Sequence, residues 1–96
     1  MSIVTYNPLI LSHLFIIIYL GDNMIRKNLG NRIKEIRLNK MKLSQEKFAM
    51  QIDMDRTYLA SVEAGKRNIS IDNLEKIANG FRISLSELFK DLKEDS

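Results

Sequence analysis

Arg56, Thr57 and Tyr58 stand side by side just before Leu59 and Val62, two apolar residues at helical spacing. Their side chains suit contact with base edges better than bond-breaking chemistry. An arginine can grip guanine O6 and N7 with two hydrogen bonds, and a threonine methyl fits the methyl of thymine. The tyrosine is equally suited to plugging a core edge with its hydroxyl in water. Other chemistries lack their residues. The chain has no cysteine, which removes disulfides and thiolate metal sites, and a lone histidine, His13, cannot assemble a catalytic or zinc constellation. No enzyme activity, metal or cofactor is expected.

The apolar periodicity from Met24 onward predicts helices throughout and no strand. Leu29, Ile33 and Ile36 define a first helix over about 26–39. Ser44 is a suitable N-cap for a second, whose apolar face is Phe48, Ala49 and Ile52. Asp53-Met54 interrupts that pattern, and Asp55 offers the N-cap of a third helix, Arg56–Glu63, which Gly65 is placed to end. Ser70 can cap a fourth helix carrying Ile71, Leu74, Ile77 and Ala78. Ser84-Leu85-Ser86-Glu87 reads as a capping box before a fifth, with Leu85, Leu88, Phe89 and Leu92. The expected fold is all-α, with a helix-turn-helix at about 44–64, because only a few residues join the second and third helices. In such a unit the second helix of the pair enters the major groove, and its first residues reach the bases. Those residues are Arg56, Thr57 and Tyr58.

Charge divides unevenly along the chain. Residues 24–68 carry eleven Lys and Arg against five Asp and Glu, whereas residues 69–96 carry four against six. A basic first half is the footprint of a surface that meets phosphate, although a charge run is also how an ordinary solvated face looks. Ninety-six residues make one domain, and a chain this short without disulfide or metal is expected to gain support by dimerising.

Residues 1–23 do not match the rest. The run Leu9–Leu20 is almost wholly apolar, yet twelve residues are too few to span a membrane, which takes about 20. A secretory signal would need a basic residue before the run and small residues after it. Neither is present. The domain is expected to occupy 24–96, with 1–23 an apolar extension outside the native protein and Met24 its start. An ordered cover and a membrane tether are the alternatives.

Taken together, these residues resemble the lambda-repressor-like, XRE-type helix-turn-helix family. The resemblance covers nearly everything after Met24. It rests on Arg37, on Ser44-Gln45-Glu46 with Ala49, on Leu59-Ala60-Ser61-Val62-Glu63 and on Gly65-Lys66-Arg67. Leu74-Glu75-Lys76-Ile77-Ala78 and Ser84-Leu85-Ser86-Glu87-Leu88-Phe89 extend it. Asp55-Arg56-Thr57-Tyr58-Leu59, with Glu63 and Arg67-Asn68, is similar to the controller proteins of restriction–modification systems. The resemblance implies a five-helix domain and a homodimer on a palindromic operator in double-stranded DNA.

Residue by residue, it implies phosphate contacts from Gln45, Arg67 and Asn68, and base or backbone contacts from Arg56, Thr57, Tyr58 and Ser61. It also implies a buried ion pair between Arg37 and Glu63. Gln45 is equally a good first helical residue, and Arg67 an ordinary solvated charge. Leu85, Phe89 and Leu92 are more apolar groups than a small last helix needs, so a dimer seam is expected there, completion of the core being the other reading. There are two departures from the family pattern. Asp53 replaces a glycine, and the connection from Arg37 to Gln45 is one residue longer and lacks its glycine, which leaves the end of the first helix unfixed. The expected protein is a cytoplasmic transcriptional regulator, with RNA polymerase a further candidate partner and no membrane association. A phage-repressor or antitoxin-like autoregulator and a protein–protein adaptor of the same fold are the competing functions.

Overall fold

The computed structural model describes residues 24–92. The run Leu9–Leu20 and the expectations attached to residues 1–23 lie outside the described residues. Helix α1 covers 24–35 and runs without a break into a π-helical turn, Ile36–Met41. Four further helices follow: α2 at Gln45–Gln51, α3 at Arg56–Glu63, α4 at Ile71–Phe81 and α5 at Leu85–Phe89. No strand occurs among the described residues.

The caps sit where short polar side chains precede apolar periodicity. Ser44, Ser70 and Ser84 each accept from the backbone N–H three residues on, and Asp55 accepts from Thr57 at 2.7 Å. Each satisfies one of the amides that a helix start leaves open.

The ends are closed by left-handed residues. Gly65, at φ 76°, ends α3 with its N–H on the Val62 carbonyl and that of Lys66 on Ser61, the paired bonds of a Schellman motif. Asp53 ends α2 the same way at φ 54°, its N–H on Met50 and that of Met54 on Ala49. Aspartate therefore does the work of the family's glycine at a modest conformational cost. Arg82 ends α4 in the same conformation at φ 60°, where its Cβ has no polar compensation to offer. Arg82→Gly is expected to raise stability by about 1 kcal/mol, read as a later urea midpoint with an unchanged slope.

The extra residue between Arg37 and Gln45 is absorbed in the π-helical turn. The N–H of Lys42, itself left-handed at φ 56°, reaches back five residues to the Arg37 carbonyl, and Leu43 shares that acceptor.

Ile33, Phe48, Leu59, Ile77, Phe81 and Leu88 fill the centre of the core, with Phe48 stacked on Phe81 at 4.6 Å between ring centroids. One expected core residue is not in it. Ile71 is 64% exposed, because at the first position of α4 it overhangs the core edge, and Ile69 from the preceding loop packs there instead. The last helix is also shorter than its apolar spacing implies. It stops at Phe89, so Leu92 packs on the core from beyond the helix. Helix α5 is tied down by the buried Leu88 and by Arg32 of α1, whose guanidinium donates to the carbonyls of Glu87 and Leu88 at 3.1 and 3.2 Å.

Candidate nucleic-acid interface

The second and third helices form a rigid pair because one carboxylate joins three elements. Glu63, at the end of α3, accepts from Arg37 Nε at 2.7 Å and Nη2 at 2.8 Å, a two-pronged ion pair whose side chains are 6% and 3% exposed. Arg37 Nη1 donates to the Leu43 carbonyl, and Gln45 Nε2 of α2 donates to Glu63 Oε1 at 2.9 Å. No buried side-chain nitrogen or oxygen among the described residues lacks a partner. A buried charge pair persists only under such full satisfaction. Gln45 is thus engaged on Glu63, at the first position of α2, with a second hydrogen left on its amide nitrogen.

With α3 fixed by its last residue, its first turn projects outward. Arg56 and Thr57 are exposed, whereas Leu59 and Val62 behind them are buried. Tyr58 is half-buried, and the residues around it are interlocked. Arg67, in the loop before α4, places its guanidinium carbon 4.9 Å from the Tyr58 ring centroid. Its Nε donates to Ser61 Oγ at 3.3 Å, and Ser61 Oγ donates to the Tyr58 carbonyl at 2.7 Å. Asn73 Nδ2 of α4 donates to the Tyr58 hydroxyl at 3.0 Å. Asn68 is exposed beside Arg67.

The structure brings Arg56, Thr57, Tyr58, Ser61 and Arg67 to one side of α3 and sets Gln45 at its other end, on Glu63. Leu85 and Leu92 are half-buried against the chain's own core, and Phe89 is 37% exposed beside them. Two participants escaped sequence reasoning. Asn73 sits on the face of α4 that meets Tyr58, and Lys76 Nζ donates to the Asp53 carbonyl at 2.9 Å, bracing the turn between α2 and α3. Neither has a local signature, although the two lie three residues apart on α4 and so about one turn from each other.

A packed pair of short helices with an outward first turn on the second is a helix-turn-helix. The helix-turn-helix family model matches residues 33–88, and the chain belongs to that family. Within it, the chain is 55% identical to control protein C.MunI of Mycoplasma sp over 73 residues, 76% of this chain and 99% of that protein. It is 42% identical to control protein C.BamHI of Bacillus amyloliquefaciens, over 69% of this chain and 82% of that one. Among solved structures, the restriction-modification controller protein C.AhdI from Aeromonas hydrophila superposes with a TM-score of 0.62 at 41% identity. That match covers 66% of this chain and 94% of that chain.

Proposed function

We propose that the protein is a dimeric, sequence-specific transcriptional regulator acting as the controller of a restriction–modification system. The carrying observation is the first turn of α3, where Arg56 and Thr57 stand exposed on a helix locked from behind through Glu63. Similarity that runs through 99% of one control protein supports the controller role. Arg56 and Thr57 read bases in the major groove; Arg67, Asn68 and the remaining hydrogen of the Gln45 amide meet phosphates on either side. Phe89, with Leu85 and Leu92 at its flanks, forms the seam between two copies. The seam sets two α3 helices on half-sites about 34 Å apart on a palindrome. The DNA-binding domain is residues 24–96, preceded by the apolar extension 1–23, and the protein works in the cytoplasm. No helix among the described residues is long and apolar enough to cross a membrane.

Two arginines separate base reading from phosphate binding. Arg56→Ala is expected to lose about 1–3 kcal/mol on a selected operator and much less on a scrambled duplex, because no base contact forms there. Arg67→Ala is expected to weaken both duplexes alike and to make the salt dependence shallower by about one unit. Titration of both variants at several salt concentrations checks this. Equal losses from Arg56→Ala on the two duplexes would show that α3 does not read sequence through that residue. A wild type that prefers no selected duplex would end the regulator reading.

A further inference from the structure

We propose that Asn73 is a positioning residue for DNA docking: it holds the Tyr58 phenol so that its own hydrogen is presented to a phosphate oxygen at the rim of the groove. This rests on the regulator reading above.

The phenol oxygen can both accept and donate one hydrogen bond. Asn73 Nδ2 occupies its accepting side, so the O–H hydrogen is turned towards a different partner. The backbone at Asn73 is fixed in turn, since its N–H donates to the capping Ser70 Oγ at 3.2 Å. The ring is held from a second direction by the Arg67 guanidinium, and the Tyr58 carbonyl by Ser61. A side chain pinned at its tip to α4 cannot follow Arg56 and Thr57 into a groove. It stays at the edge of the docked helix, where the sugar–phosphate backbone runs and where most polar contacts with DNA are made.

Arg67 and Lys76 line the groove beside the phenol together with the carboxylates of Asp53 and Asp55, the latter bonded to the Thr57 amide, so the formal charges there balance. A neutral donor fixed in direction adds register without adding charge. That sets it apart from Arg67, because the salt dependence of binding counts only the phosphates neutralised by cations.

The test compares Tyr58→Phe, Asn73→Ala and the double variant on the selected operator at several salt concentrations, with thermal unfolding alongside. Each single change is expected to weaken binding about five- to tenfold, the range of one hydrogen bond. The double should be no weaker than the worse single, the salt slope should match wild type, and the unfolding temperature of Tyr58→Phe should hold. Losses that multiply in the double, a slope shallower by a unit, or wild-type affinity in either single variant would overturn the proposal. Should Asn73→Ala unfold, Tyr58→Phe still decides, because it keeps the ring and its Arg67 contact and removes only the oxygen. Wild-type preference for the operator together with an unaffected Tyr58→Phe sinks this inference alone; absence of that preference sinks the regulator reading with it.

Discussion

Arg37→Ala is expected to destabilise the fold by about 3–5 kcal/mol, the usual penalty for leaving one member of a buried pair without its partner. The structure explains why the value should be so large. Glu63, whose side chain is 3% exposed in the intact protein, keeps a single donor, Gln45 Nε2, once both guanidinium bonds are gone. The Leu43 carbonyl also loses Arg37 Nη1. Replacing Arg37 and Glu63 together by apolar residues of similar volume should cost less, because no charge is then stranded. Urea denaturation of the two variants checks both statements. A loss below about 1 kcal/mol for Arg37→Ala would mean that the pair behaves as a surface pair does.

Gly30→Ala is expected to cost about 3 kcal/mol, at the upper end of what overpacking usually does. A Cβ at Gly30 would lie 2.5 Å from the Val62 carbonyl oxygen and 2.6 Å from that of Glu63. Both obstacles are backbone atoms in the last turn of α3, so no side chain can swing away to make room. Helices α1 and α3 would have to part, and the Arg37–Glu63 geometry would stretch with them. The better helix propensity of alanine returns at most about 1 kcal/mol. Thermal or chemical unfolding reads the difference, and a wild-type midpoint would show that α1 can shift without loss. Operator binding by the folded fraction should suffer less than stability, since Gly30 meets the last turn of α3 and not its exposed first turn.

Much of this architecture was legible in the chain itself. Ser44, Asp55, Ser70 and Ser84 announce their helices by a local rule, a short acceptor ahead of apolar periodicity, and each cap is present with its hydrogen bond. The inward positions Phe48, Leu59, Val62 and Ile77 follow from the same periodicity. Periodicity also misled at Ile71, where spacing to Leu74 is helical but the buried face of α4 begins only at Leu74. It over-extended the last helix to Leu92 for a similar reason, since nothing local shows that Arg32 closes the carbonyl end at Glu87 and Leu88. The roles of Arg32, Asn73 and Lys76 arise from separations of 15 to 56 residues, which no window along the chain can see. The bond from Gln45 to Glu63 was hidden by the same distance, although both residues had been singled out.

The two connections that flank α2 differ in how they accept a change of length. In the π-helical turn each carbonyl is met by an amide five residues on rather than four, so the backbone there stores one residue of slack. That slack lies at the surface: Leu38, Asn39 and Lys40 are exposed, while Ile36 and Arg37 before them are buried. Removing one of the three exposed residues would let the turn relax to ordinary helix with Arg37 still anchored on Glu63. The junction between α2 and α3 has no such reserve. Its backbone is committed through Asp53 and Met54 to the end of α2 and through Lys76 to α4, so its length also fixes the angle at which α3 leaves. Natural variants of this domain should therefore gain and lose residues before Leu43 and keep a constant count from Ser44 to Glu63.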